Sequence, residues 1–351
     1  MHRTEAGPVL STPSAAGAHG TGKVGSAKVD GQANWPIFHQ PWWLDAVSPG
    51  NWDCVTVERG GEIVARLPFV VRGPRRMQML TQPYVTPFLG PWVARSPGAK
   101  YAKALSDQME LQVELESRLP PVAAFRQSFS STMINALPFV WAGYRAEVAY
   151  TNRLEQLDSE EALWDGLNGN IRREIRKANK RVVVRDDLGL DDFYGVWRDT
   201  LVRQGRPAPS RALLERIEAA CGVRDARATL FACDADDRIH AAAYIVWDAE
   251  AAYYLLGGSR PELRTSGAPS VVLWEAIRRA RQVTRTFDFE GSMIPPIDRF
   301  FRAFGGRQVP YLRVSRATPI AVGALRLRGA ALRTLGAART FTSAGRPAAM
   351  P

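Results

Sequence analysis

The run AAYYLLGGSRPELRTSGAPSVVLWEAIRRARQVTRTFDFEGSMIPPIDRFFRAFGGRQVPYLRV, residues 251–314, decides how the rest of the chain is read. An apolar strand (AAYYLLGGS) enters a loop rich in Gly, Ser and Arg (RPELRTSGAPS) and then a helix (VVLWEAIRRARQV). A strand (TRTFDFEG), a short aromatic helix (IDRFFRAFGG) and a last strand (VPYLRV) follow. A Gly-containing turn between a strand and a helix N-terminus points free backbone N–H groups, and the positive end of the helix dipole, at an anion. The pattern therefore predicts a phosphate cradle made by Ser259, Arg264, Ser266, Gly267 and Ala268. Pro269 suits the first helical position, where its missing N–H needs no partner. The plainer alternative is an ordinary loop, capped by Ser266 and turned by Gly267.

Upstream of this run, ATLFACD, RIHAAAYIVWD and AAYYLLGGS lie close together, separated by Asp-rich turns, which predicts a three-stranded antiparallel meander. Before it come helices over 190–204 and 210–221, a strand at 181–185, and the basic helix NIRREIRKANKR at 170–181, itself preceded by a helix at EEALWDGL. In the first half, PWWLDAV (41–47) reads as a helix, and 52–59 and 62–71 read as strands joined by Gly60-Gly61, a pair suited to a hairpin turn. Pro83, Pro87 and Pro91 exclude a central strand over 80–93. A helix near 98–118 and strands near 124–129 and 144–150 complete that half.

The chain has 351 residues, 46% hydrophobic and 23% charged, which reads as soluble and globular, and the order of elements above reads as α+β. No apolar run approaches the roughly 20 residues that cross a bilayer. Residues 1–33 read as a disordered leader without a secretory pattern, so a cytoplasmic location is expected. Cys54, Cys221 and Cys233 are far apart in apolar stretches and read as buried thiols. Among His2, His19, His39 and His240 no spacing suits a metal site or a histidine triad. The net charge of +11 favours anionic partners: a nucleotide, nucleic acid, or an anionic membrane surface at the inner face.

This order of elements resembles the GNAT acyltransferase superfamily, whose pyrophosphate loop follows the central strand as Arg or Gln, two residues, Gly, one residue, then Gly or Ala. Arg264-Thr265-Ser266-Gly267-Ala268 carries the Arg and the first Gly; Pro269 departs from the pattern and removes one donor. The IRREIRKA helix together with YYLLGGSRPELRTSGAPSVVLWEAI and FDFEGS…FFRAFGG is similar to the Fem-like (FemAB/FemX-type) branch over residues 165–314. HQPWWLDAV and TPFLGPW resemble its degenerate first domain more weakly. The resemblance implies tandem GNAT-like domains with a mixed, mostly antiparallel sheet flanked by helices. The implied divisions are a degenerate domain at 34–150, an acyltransferase domain at 151–316, and a basic, flexible tail at 317–351. It also implies N-acyl transfer from acyl-CoA (acetyl-CoA) as co-substrate, without a metal, to an amine of a small-molecule, peptide or cell-envelope acceptor. Aminoacyl-tRNA is the alternative donor, and a binding module for nucleic acid or anionic lipid is the alternative outside enzymes. Oligomeric state is not legible.

Asp288 and Glu290, two apart on one strand, should face one side while Phe287 and Phe289 face the other. Adjacent carboxylates on an apolar strand raise each other's pKa, which suits a general base for an amine. The alternative is pairing with Arg285, Arg299 or Arg302. On the basic helix, Arg173, Arg176 and Lys177 are candidates for binding substrate phosphates, with Ile171, Ile175 and Ala178 turned inward. Trp43 is spaced, like the other aromatic residues, for a core, and is also a candidate for the border of a substrate groove between the halves. The tail, with five Arg and no acid after Ala317, is a candidate for peripheral contact with an anionic membrane.

Overall fold

The computed structural model describes residues 34–321, apart from 96–97, 292 and the side chains of Arg76, Arg264 and Thr265. The leader at 1–33 and the tail beyond 321 lie outside the described residues. Helix α1 (Pro41–Val47) starts with proline at its first position and is followed by the hairpin β1 (Trp52–Arg59) and β2 (Glu62–Arg72). Gly60 and Gly61, with φ of 60° and 82°, form its turn. Next are β3 (Met79–Thr81), the two-residue β4 (Trp92–Val93), α2 (Tyr101–Ser117), β5 (Ala124–Ser128), α3 (Leu137–Trp141) and β6 (Arg145–Leu154). The prolines of 80–93 restrict that segment to the short β3 and β4.

The second half begins with α4 (Glu160–Gly166), whose N-cap Ser159 accepts from the Ala162 N–H, and α5 (Gly169–Ala178), which buries Ile171, Ile175 and Ala178. Then come β7 (Val183–Arg185), α6 (Leu190–Arg203) and α7 (Arg211–Gly222). The meander is β8 (Arg227–Cys233), β9 (Ile239–Trp247) and β10 (Ala252–Ser259), each strand antiparallel to the next. A 3-10 turn at Pro261–Ser266 leads into α8 (Ala268–Ala280), β11 (Phe287–Asp288), α9 (Pro295–Arg302) and β12 (Arg307–Ala317).

These strands form one α+β sheet in the order β1-β2-β3-β5-β12-β6-β11-β10-β9-β8-β7, with β4 beside β2. Among the described residues it is antiparallel except at β3/β5 and β10/β11. The order nearly reads the same from both ends. Each half has a meander, a crossover helix, a parallel strand, a short helix and a last strand. The last strands are exchanged: β12 pairs with β5, and β6 pairs with β11 and β12. Three cores result: α5, α8 and α9 cover one face of the second half; α1, α6 and α7 cover the other; α2 and α3 pack on the first half.

Two expectations change. Helix α1, read with the first half, packs on α7 of the second. The strand expected over TRTFDFEG contracts to Phe287–Asp288, because Glu290 (φ 59°) and Gly291 (φ 42°) turn the chain away. A Cβ at Gly291 would lie 2.3 Å from the Tyr150 carbonyl oxygen, so that turn is pressed against β6 and requires glycine.

Candidate active site

β10 and β11 form a fork. Among the described residues they pair only at Ala252/Phe287 and Tyr253/Asp288, after which β10 runs on to Ser259 with β9 on its other side. The open edge, residues 254–259, spans roughly 20 Å at about 3.3 Å per residue. Its cause is local: the left-handed backbone of Glu290, a conformation costing about 1 kcal/mol outside glycine, ends the strand there.

At the apex lie the two carboxylates. The Asp288 side chain accepts from the Thr151 hydroxyl and the Glu290 N–H (2.9 Å) through one oxygen, while the other stands 3.6 Å from Arg153 Nε. The counter-charge is thus Arg153 of β6, aligned with Asp288 across the β6/β11 pair, and none of the arginines considered from sequence; Arg302 bonds Asp298 instead (2.8 Å). Glu290 Oε1 is buried without a hydrogen-bond partner among the described residues. Burial, then the neighbouring Asp288 charge, push the Glu290 carboxyl well above its ordinary value, with Arg153 opposing. Asp288 is raised as well, by burial, against the Thr151 hydrogen bond and Arg153. Phe287 and Phe289 point the other way and stack edge to face, 5.0 Å between centroids.

Both carboxylates line a cavity of about 90 Å³ with Thr151, Phe88, Phe129 and Ser131. Asp288, Phe88 and Ser131 also border a larger cavity of about 500 Å³ between the halves, which adds Arg153, Trp92 and Tyr253.

The loop stands at the other end of the open edge. Ser259 is pinned to α6: its N–H donates to Thr200 Oγ1 (3.1 Å) and its carbonyl accepts from Arg203 Nη1 (3.0 Å). The Ser266 hydroxyl is spent inside the loop, donating to the Leu263 carbonyl (2.9 Å) and accepting from the Ala268 N–H (3.2 Å). The N–H groups of Ser270 and Val271 bond the Gly267 carbonyl (3.0 and 3.3 Å). The first turn of α8 therefore does not present a row of free N–H groups; capping within the loop has taken them up. Gly267, at φ 80°, lies so close to α5 that a Cβ would meet the Glu174 carbonyl oxygen at 2.8 Å, and Ser270 donates to the Glu174 carboxylate. This contact brings the basic helix to the loop. Arg173, Arg176 and Lys177 are exposed on it, and the Arg176 guanidinium lies 5.5 Å over Trp164. The side chain of Arg264 lies outside the described residues.

Trp43 is corrected. It is fully buried, packs edge to face on Phe38, and donates its indole N–H to Thr86 Oγ1 (3.1 Å), so it is a core residue and no groove contact. Sequence reading missed Thr151, Arg153 and Ser131. The alternation Ala149, Thr151, Arg153 along β6 was a usable signal for the first two; no local pattern marks Ser131. Among the described residues, no group of three or more His, Cys, Asp or Glu is placed to hold a metal, and no helix is long and apolar enough to cross a membrane.

Residues 167–295 match the family model for an acetyltransferase (GNAT) domain. No curated protein matches the sequence. Among solved structures, that of FemX is similar with a TM-score of 0.58 at 13% identity, covering 79% of this chain and 91% of that one. The C-terminal domain of a putative lysylphosphatidylglycerol synthetase from Agrobacterium fabrum gives 0.49 at 15% identity, covering 79% and 88%. A tandem GNAT protein from the clavulanic acid biosynthesis pathway gives 0.45 at 12% identity, covering 76% and 82%.

Proposed function

We propose that this chain, which has the GNAT fold in the tandem, Fem-like arrangement, is an N-acyltransferase that moves an acyl group from acyl-CoA to an amine. The observation that carries the reading is the fork, with a loop beside a cationic helix at one end of its open edge and, at the other, the buried Asp288 and the half-buried Glu290. The donor's diphosphate would lie by residues 261–268, with Arg173, Arg176 and Lys177 supplying charge. Its arm would run along β10, and the acyl carbonyl would sit at the apex, polarised by N–H groups on the open edge.

Near neutral pH an amine arrives as ammonium and must lose a proton before it can attack. Glu290, its pKa raised first by burial and then by the charge of Asp288, is placed to take it. The amine nitrogen then bonds to the thioester carbon, the carbon–sulfur bond breaks, and the thiolate leaves to be protonated as free thiol. The products are an amide, CoA and one proton. Positioning supplies a further part of the rate. The acceptor class is an amine of a small molecule, a peptide or a cell-envelope precursor.

The test is release of free thiol from acetyl-CoA and other short acyl-CoAs in the presence of amines. Amine-dependent release supports the reading, and absence of release with every donor overturns it. The exposed Arg173, Arg176 and Lys177 also favour a second donor, aminoacyl-tRNA, through its phosphates. Transfer of a labelled amino acid from charged tRNA, with none from acyl-CoA, would select that donor.

A further inference from the structure

The cavity of about 500 Å³ between the halves is larger than an amine nitrogen needs, and its walls differ in chemistry. Phe88, Trp92 and Tyr253 form an aromatic side. The hydroxyl-bearing residues 130–132, just beyond the end of β5, line it as well; Ser130 and Thr132 bond each other (3.0 Å) and Ser131 accepts from Arg153 Nη1 (3.0 Å). That is the only hydrogen bond the Arg153 guanidinium makes among the described residues; its buried Nε stands 3.6 Å from Asp288, beyond hydrogen-bond range. Most of its five donors therefore remain available in a mostly buried position. Arg95 adds a second cation at the rim.

Of the acids lining the cavity, Glu250 is exposed and offsets Arg95, while the two nearer Arg153 are engaged. Asp248 is consumed by the N–H groups of Ile37 (2.9 Å), Glu250 (2.8 Å) and Ala251 (2.9 Å). Asp288 has committed one oxygen to Thr151 and Glu290. His39, which also lines the cavity, is kept neutral, first by burial and then by the charge of Arg66. What remains is a planar guanidinium beside a hydroxyl, a set that matches a carboxylate fork. Because Arg153 already shares its charge with Asp288, a singly charged group suits the site better than a dianionic phosphate.

We infer that the acceptor amine carries a carboxylate, as in an amino acid or short peptide, with Arg153 and Ser131 holding the carboxylate while the amine meets Glu290. This deepens the acyltransferase reading and rests on it for the role of Glu290. Each half then contributes one end of the acceptor site: the end of β5 binds the carboxylate and the end of β11 handles the amine.

The experiment has a binding arm and a turnover arm. Calorimetry on the whole chain compares amino acids and dipeptides with their C-terminal amides and with phosphate-bearing amines. Binding of the carboxylates tighter than the amides by roughly 10–100-fold, lost in Arg153→Ala and partly restored in Arg153→Lys, is the expected result. In turnover, Arg153→Ala should abolish the difference in KM between carboxylate and amide acceptors, a ratio that separates carboxylate binding from any change in kcat passed through Asp288 and Glu290. Circular dichroism confirms that the variants fold. Equal affinity for carboxylates and amides, or preference for the phosphate-bearing amines, overturns the inference. Thiol release that is indifferent to the carboxylate would sink it while leaving the acyltransferase reading intact; carboxylate-dependent binding without thiol release from any acyl-CoA would do the reverse.

Discussion

The two halves share a meander, a crossover helix and a parallel strand, yet only one of them opens. β3 is paired along its whole length with β5, Met79 to Ala124 through Thr81 to Arg126, whereas β10 leaves β11 after two residues and runs free to Ser259. After β5 the chain continues as Phe129-Ser130-Ser131; after β11 it continues as Phe289-Glu290-Gly291, with Glu290 in a left-handed conformation. Equivalent positions thus offer hydroxyls on one side and carboxylates on the other. The same topology can build a wall or a slot, and a change of backbone hand just after the strand accompanies the difference.

The largest effect should come from removing the charge that distinguishes the forked half. Glu290→Gln should lower kcat by about 10²–10⁴-fold, the usual contribution of a positioned base, read by thiol release. An unchanged kcat would strip the comparison of its chemical meaning. Asp288→Asn should cost less, because Asp288 acts on Glu290 through charge and a backbone hydrogen bond.

Two glycines sharpen the contrast next. Gly267 (φ 80°) and Gly143 (φ 84°) have nearly the same backbone, but a Cβ at Gly267 would strike the Glu174 carbonyl, while nothing lies within 4 Å of one at Gly143. Gly143→Ala should cost about 1 kcal/mol for its conformation alone. Gly267→Ala should cost about 2–4 kcal/mol, since the clash adds to it, and should raise the donor KM by displacing α5 from the loop. Urea unfolding checks the stabilities; equal losses would mean that the contact with α5 is slack.

Much of this contrast was legible in the sequence. The hairpin at Gly60-Gly61, the meander, the helix after Gly267 and the shared side of Asp288 and Glu290 follow from turn chemistry and period-two patterning, which are local. The exchange of β6 and β12 is not local, and it sets the site. Arg153 reaches Asp288, 135 positions away, only because β6 crosses into the second half. Trp43 is fixed by a non-local contact too: its indole N–H finds Thr86, 43 positions along the chain, and that decides between core and groove. The turn at Glu290 was missed because a left-handed glutamate has no sequence signature.

A smaller effect is expected from the basic helix. Reversing Arg173 and Lys177 to Glu should raise the donor KM roughly three- to tenfold, with kcat unchanged and the effect shrinking in high salt, since these charges are exposed. A fall in kcat with KM unchanged would place them away from the donor.

The smallest is a pH effect on stability. The folded-state pKa of Glu290 lies above its unfolded value, so its contribution to stability is present in full below the unfolded pKa and is lost as pH rises through the folded one. Relative to Glu290→Gln, the unaltered chain should therefore lose stability as pH rises through that window, measured by unfolding at several pH values. Over the same window kcat should rise, because the base must be deprotonated, and that rise should be missing in Glu290→Gln.

The central claim is that the forked half alone holds the donor. A structure with bound CoA tests it most directly. The account predicts the diphosphate between residues 261–268 and α5, with the sulfur at the apex near Glu290. CoA lying along β3 and β5, with its diphosphate at the start of α2, would contradict it.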